Sequence, residues 1–374
     1  MIYFDNAATT PLDPEVIEVM YSVMKNNFGN PSSIHTYGRE ARVLIEDART
    51  TVSSLLNVSP SEIFFTSCGT EAINMVLLGC VENIGIKNII TSPLEHHAVL
   101  HKLEHLSKIG KCNIHFVKLD SLGNIDQDDL EIKLKSSDRS LVCLMHANNE
   151  IGNLLPVKDI GELCKKYNAL FLCDTVQTMG KFRNSPGDMN IHFAACSAHK
   201  FHGPKGIGFL YLNSDMEIDP LLYGGGQERS MRSGTENIYG ICGLAKAFEI
   251  AHRNMDADIL YIKGLKEYMV NSLKRFVNDI RFNGESEDKG LHTILNVSFP
   301  RTDKSEMLLY SLDIEGIAAS GGSACSSGSV SESHVLKAIG ADMNRPAIRF
   351  SFSKFNTKKE VDTCVNVIKK IINV

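Results

Sequence analysis

The chain has 374 residues, 43% hydrophobic and 22% charged, with a formal net charge of −5. This composition supports a large buried core and excludes wholesale disorder, while the acidic balance, the absence of Trp and the 7% aromatic content leave no basis for a nucleic-acid surface. No apolar run is long enough to span a membrane, the N-terminus lacks the basic and apolar regions of a signal peptide, and ten scattered cysteines without a C-x-x-C pair argue against a disulfide scaffold or thiolate zinc site and for a reducing compartment, the cytoplasm.

Short apolar runs alternate with helical patterns along the first two thirds of the chain. Strands are expected at 62–66, 87–91, 115–119, 141–146, 169–173, 191–195 and 206–212. Helices are expected between them at 70–81, 96–109, 127–134 and 156–167. This rhythm predicts an α/β fold with a mostly parallel sheet covered by helices, whose ligands gather at the carboxyl ends of the strands. From about Tyr239 the texture changes. Residues 241–273 read as one long or two shorter helices, followed by a smaller α/β region with strands at 280–282, 293–299, 317–319 and 348–351 and helices at 305–313, 335–339 and 358–372.

Polar clusters fall at the predicted strand ends. Asn148-Asn149-Glu150-Ile151-Gly152 follows strand 141–146 and reads either as a polar turn or as a pair of carboxamides aimed into a crevice. Asp174 ends the run 170–173 and suits an N-cap, a metal ligand or a partner for a cationic ring nitrogen. Ser197-Ala198-His199-Lys200 places a lysine in a Ser/His/Gly-rich loop, and lysine is the side chain that forms a Schiff base with a carbonyl cofactor such as pyridoxal phosphate. Neither a Walker loop nor a G-x-G-x-x-G fingerprint is present, but Gly69-Thr70 opens a helix whose free N–H groups suit a phosphate, with Ser197 and His199 as further donors.

His97, His101 and His105 share a helix face but lack an H-E-x-x-H arrangement, so they read as packing or surface residues and no metal site is assigned. His96, at the start of that helix, is placed to stack on a cofactor. The segment 316–331 has no charged residue and little to pack, and reads as a mobile loop bearing a single thiol, Cys325, a candidate nucleophile. The other nine cysteines lie mostly in apolar or helical surroundings and read as buried bystanders. Arg349, between apolar residues on a strand, reads as a carboxylate clamp or a structural ion pair.

Taken in order, these stretches resemble the NifS/IscS-type (group I) cysteine desulfurases, pyridoxal-phosphate enzymes of the class V aminotransferase family. The matching segments run from Tyr3-Phe4-Asp5-Asn6-Ala7-Ala8-Thr9-Thr10, through Phe28-Gly29-Asn30-Pro31, Glu95-His96, Asn148-Asn149-Glu150, Ser197-Ala198-His199-Lys200, Gly224-Gly225-Gly226 and Arg232-Ser233-Gly234-Thr235, to Ser323-Ala324-Cys325 and Arg349. The resemblance implies the fold type I architecture: a large domain (13–255) with a central, mostly parallel seven-stranded sheet, and a smaller α/β C-terminal domain (256–374 with 1–12) carrying the cysteine loop. It implies that Lys200 holds the cofactor, Asp174 pairs with its ring nitrogen, Gln177 meets the ring hydroxyl and His96 stacks on the ring and shuttles protons. Thr70, Ser197 and His199 would bind the phosphate, with Thr235 supplied by the other subunit of a homodimer. Arg349 would grip the substrate carboxylate, helped by Asn30 and by Asn149, which also borders the cofactor, and Cys325 would accept sulfur from L-cysteine and pass it to an acceptor protein such as an iron-sulfur scaffold. Gly322 and Cys68 depart from the usual family residues at their positions. A selenocysteine lyase, an aminotransferase of the same class, or a non-catalytic sulfur-carrier partner are the competing expectations.

Overall fold

In the computed structural model, which describes residues 1–183, 185–302, 305–321 and 333–372, the elements in chain order begin with β1 (Ile2–Tyr3), α1 (Pro14–Asn26), α2 (Thr36–Leu56), β2 (Ile63–Thr66), α3 (Gly69–Glu82), β3 (Asn88–Thr91), α4 (His97–Lys108) and β4 (Asn113–Phe116). They continue with α5 (Gln127–Ser136), β5 (Ser140–Met145), α6 (Val157–Lys166), β6 (Leu170–Asp174), β7 (Phe193–Ser197), β8 (Gly208–Leu212) and the long α7 (Ile238–Phe276). The C-terminal part comprises β9 (Arg281–Phe282), β10 (Ile294–Ser298), α8 (Leu308–Ile314), β11 (Ile317–Ala318), α9 (His334–Ala338), β12 (Ala347–Ser351) and α10 (Lys358–Ile372).

Seven strands form one sheet in the order β2-β8-β7-β6-β5-β3-β4. Only β8 runs antiparallel to its neighbours, as the strand–helix rhythm predicts. Successive strand residues face opposite layers: Phe65, Ile90, Val142, Phe171 and Phe209 pack with α1, α2, α6 and the start of α7, whereas Phe64, Ile89, Leu141, Leu172 and Leu210 pack with α3 and α4. Both faces are therefore buried, and the polar residues are left to the strand ends.

A separate core gathers the second half of α7, the β12-β10-β9 sheet, α8 and α10 around Phe4. In α10, Val361, Cys364, Val365 and Ile368 form one buried stripe at helical spacing. The N-terminal strand β1 pairs in parallel with β11, and Ser351 N–H donates to the Phe4 carbonyl at 2.7 Å, so the first residues are built into this unit before the chain crosses to the large sheet.

Helices α1 and α2 precede the first expected element, and the strand expected at 115–119 lies at Asn113–Phe116. Of the one long or two shorter helices expected at 241–273, the chain forms one, the 39-residue helix Ile238–Phe276. Gly322 and Cys325 lie outside the described residues. No helix among the described residues is long and apolar enough to cross a membrane.

One buried ion pair ties the edge of the sheet to its helical cover. Arg49 in α2, 2% exposed, donates to both carboxylate oxygens of Glu228 at 2.8 and 2.7 Å and to the Ile63 carbonyl at 2.7 Å, while Phe65 N–H donates to Glu228 at 2.8 Å. Glu228→Ala removes the buried partner of this guanidinium and leaves it, as counter-charge, only the half-exposed Glu46, at 3.1 Å, and should lower stability by about 3–5 kcal/mol. Urea unfolding measures this, and a loss below about 1 kcal/mol, the range of an exposed pair, would contradict the assignment.

Candidate functional site

The carboxyl ends of β5, β6 and β7, the N-terminus of α3 and the start of α4 converge on a cavity of about 210 Å³. Its lining includes Thr70, His96, Asn149, Asp174, Gln177, Ser197, His199, Lys200 and Arg349. The sheet brings these residues together from across most of the chain, at the place where an open parallel sheet binds its ligands.

Lys200 ends a one-turn 3-10 helix, Ala198–Lys200, that follows β7 directly. Its Nζ donates to the carbonyls of Ala7 at 2.6 Å and Ala8 at 2.9 Å. Gln177 holds the same N-terminal segment, with Nε2 donating to the Ala7 carbonyl at 2.9 Å. Neither alanine carries a side-chain signal, so sequence reading assigns them no place in the site.

Asp174 is the last residue of β6 and 6% exposed. Its Oδ1 accepts the Val176 N–H at 2.9 Å. Burial pushes its pKa from 3.8 up to about 6, against the opposing influence of that N–H and of the Lys200 charge. A second acid, Glu95, also missed, is buried nearby. Its Oε1 accepts the Met145 N–H at 3.0 Å, and Met145 pairs with Asp174 across β5 and β6. Burial holds the Glu95 carboxyl well above the usual range, with the neighbouring Asp174 charge acting in the same direction.

His96 is the N-cap of α4, its Nδ1 accepting the Ala98 N–H at 3.1 Å. Burial, then the charge of Lys200, lowers its pKa to about 4, so the ring is neutral at neutral pH and its proton sits on Nε2. Next to it, His97 lies with ring centroids 4.6 Å from both His101 and His334, but no His, Cys, Asp or Glu group among the described residues is arranged to hold a metal ion.

At the opposite wall, α3 starts at Gly69, whose N–H donates to Ser197 Oγ at 2.7 Å. A Cβ on Gly69 would meet Val176 Cγ2 at 2.5 Å, so only glycine lets this helix end close on β7. Thr70 follows at the cavity mouth, and His199 is held by Thr9 Oγ1 at 3.2 Å. Burial and the adjacent Lys200 charge lower the His199 pKa to about 4. Arg349, 1% exposed, donates through Nη1 to the Asn149 carbonyl at 2.7 Å and through Nη2 to Asp5 at 3.0 Å, while its buried Nε has no hydrogen-bond partner.

Two expected residues are not brought to this cavity. Asn30 is exposed and uses Oδ1 to accept the Ser32 N–H at 2.9 Å, closing its own turn. Thr235 lines a neighbouring cavity of about 150 Å³ with Thr66, Ser67 and Arg232. Arg232 docks that loop on the first turn of α3 through Glu71 at 2.9 Å. Among the described cysteines only Cys68 is not buried, and it lines the main cavity. Burial pushes the thiols of Cys80 and Cys164 up to about 12, which makes them inert.

These residues fit the cofactor that the resemblance implies. A buried carboxyl without an adjacent arginine suits a cationic ring nitrogen, a lysine amine stands at the same cavity, and a helix N-terminus with hydroxyl and imidazole groups suits a phosphate.

Comparison with known proteins agrees. The family described as aminotransferase class-V matches residues 2–364. The chain is 40% identical over 375 residues, 99% of its length and 94% of the relative's, to the cysteine desulfurase IscS of Dictyoglomus turgidum. Among solved structures, a NifS-like protein superposes with a TM-score of 0.91 at 39% identity, covering 100% of this chain and 99% of that one. SspA in complex with cysteine gives 0.82 at 30% identity, covering 96% and 100%.

The Asp174 shift has a definite sign. The folded carboxyl keeps its proton to higher pH than the unfolded one, so ionising it lowers stability as pH rises from about 4 through about 6. In cofactor-free protein, Asp174→Asn should therefore be more stable than wild type by roughly 1–3 kcal/mol at pH 8. Urea midpoints against pH should show this gap opening between about pH 4 and 6 and staying level above; a gap that closes over that range would contradict the shift.

Proposed function

The chain belongs to the aminotransferase class-V family, and we propose that it is a pyridoxal-phosphate-dependent cysteine desulfurase, which converts L-cysteine to L-alanine and leaves the sulfur on Cys325 as a persulfide. The observation that carries this reading is the meeting of Lys200, buried Asp174 and neutral His96 in one cavity, with Arg349 at its edge. Relatives matching nearly the whole chain are named cysteine desulfurases.

Each residue then has a task. Lys200 Nζ, steadied by the Ala7 and Ala8 carbonyls, is the amine that carries the cofactor. The cofactor supplies an electron sink for the bonds at the substrate Cα. Asp174 keeps the ring nitrogen protonated, because a buried carboxylate gains most from a cation beside it. Gln177, its Nε2 fixed on the Ala7 carbonyl at the cavity wall, would meet the ring hydroxyl. Thr70, Ser197 and His199 hold the phosphate at the start of α3. His96, its Nδ1 occupied by the Ala98 N–H, would stack on the ring and leave Nε2 to move protons. Arg349 takes the substrate carboxylate in exchange for Asp5, with Asn149 beside it. The Cys325 thiolate attacks the substrate sulfur, the carbon–sulfur bond breaks, and its electron pair stays on Cβ, which takes up a proton as alanine forms.

We also propose a division into a cofactor-binding unit (13–255) and a smaller unit (256–374 with 1–12), joined through α7, whose two halves pack in different cores. A homodimer is supported by exposed large apolar side chains on and between α1 and α2, including Tyr21, Met24, Phe28, Ile34 and Tyr37. Thr235 would then serve the partner's phosphate. The acceptor of the sulfur is a second protein, such as an iron-sulfur scaffold, in the cytoplasm.

With L-cysteine and a reductant, the holoenzyme should produce sulfide and alanine in equal amounts. Cys325→Ala should still bind L-cysteine, seen as a change in the cofactor absorption band, but release neither product above background; full turnover by this variant would remove Cys325 as nucleophile. Arg349→Lys loses the planar fork and should raise KM by about 10–100-fold with a smaller change in kcat. An unchanged KM would exclude Arg349 from substrate binding.

A further inference from the structure

We infer that Glu150 is a positioning residue for sulfur transfer, fastening Ser333, on the C-terminal side of Cys325, to the loop that holds Arg349. The inference rests on the proposed roles of Cys325 and Arg349. Three consecutive residues carry it. Asn148 fixes the loop shape, its Oδ1 accepting the N–H groups of Glu150 at 2.8 Å and Ile151 at 3.0 Å and its Nδ2 donating to the Leu94 carbonyl at 2.9 Å. Asn149 lines the cavity, and its carbonyl accepts Arg349 Nη1 at 2.7 Å. Glu150 points the other way: its Oε2 accepts Ser333 Oγ at 2.5 Å, and its carbonyl accepts Asn296 Nδ2 at 3.0 Å.

Ser333 is equally engaged. It caps α9, its Oγ accepting the Leu336 N–H at 3.0 Å, and the adjacent His334 Nε2 lies 3.1 Å from the carbonyl of Glu95, the residue before His96. On the N-terminal side of Cys325, Ser320 and Arg349 exchange backbone hydrogen bonds, at 2.7 and 3.2 Å. The chain on both sides of the thiol is thus tied to residues of the substrate site, one tie through Arg349 itself and the other through Glu150. Glu150 and Ser333 are 2% and 4% exposed. A carboxyl at such depth is costly, and a neutral side chain would pack α9 as well; what the carboxyl adds is a short, direction-specific bond that sets where Ser333 sits relative to Asn149.

The test separates substrate binding from sulfur transfer in the holoenzyme. L-cysteine affinity is read from the cofactor absorption change, and transfer from alanine formed in a single turnover. Glu150→Ala and Ser333→Ala should each slow transfer by about tenfold or more with affinity within about twofold of wild type, and the double variant should be little slower than either single one. Ser333→Thr keeps the hydroxyl and the cap and should restore most of the rate. Equal loss of affinity and transfer, or a Ser333→Thr variant as slow as Ser333→Ala, would overturn the inference. Cys325→Ala distinguishes its failure from that of the underlying reading. Continued transfer by Cys325→Ala refutes the nucleophile, whereas abolished transfer there with wild-type rates in Glu150→Ala and Ser333→Ala refutes only the positioning role.

Discussion

The buried carboxyl of Asp174 is the constraint around which the site is arranged. It sits at the end of β6 with one backbone N–H donor and the more distant field of Lys200, and burial raises its pKa to about 6. The large sheet buries both faces, so its strand ends are where polar groups can gather without disrupting a core. Glu95 meets the same β5–β6 register through Met145, and burial, reinforced by the Asp174 charge, raises its pKa as well. A cation bound in the cavity would relieve Asp174 and fix its ionised state. This is the property that an electron-withdrawing ring requires of its partner.

The second requirement is that the two ends of the chain meet at that point. Residues 2–6 belong structurally to the C-terminal unit, through the β1–β11 pair and the contacts of Phe4 and Asn6 with Ser351. Immediately afterwards, Ala7 and Ala8 present their carbonyls to Lys200. Arg349, in β12, reaches back to Asn149 and Asp5. The site is thus assembled from the large sheet, the N-terminal segment and the C-terminal unit, and none of the three contains it alone.

Much of this was legible in the sequence, for definable reasons. The alternation of apolar strands and helices is strong wherever both faces of a strand are buried, and the residues at or just past the strand ends of the large sheet carry distinctive side chains: Asp174, His199 and Lys200 line the cavity, as does Arg349 from the middle of β12. Helix α2 was less visible because its buried stripe includes the small residues Gly38, Ala41, Ala48 and Ser53, which weaken the apolar periodicity, although Asp13-Pro14 is a clear start signal for α1. The contributions of Ala7 and Ala8 are made by backbone carbonyls and leave no trace in residue type. Glu95 and Glu150 stood in recognisable stretches, but their roles depend on burial and on partners far along the chain, which local pattern does not encode. The same holds for Lys181, whose Nζ donates to the carbonyls of Gln177 at 2.7 Å and Lys200 at 3.2 Å and whose pKa is lowered to about 7 by burial and the Lys200 charge.

Several lysines lie close enough to the cavity for the choice of Lys200 to matter. Borohydride reduction of the holoenzyme, followed by peptide mass mapping, locates the amine that bears the cofactor. The account predicts a single pyridoxyl label, on Lys200. A label on Lys181 or Lys205, or none on any lysine, would contradict it.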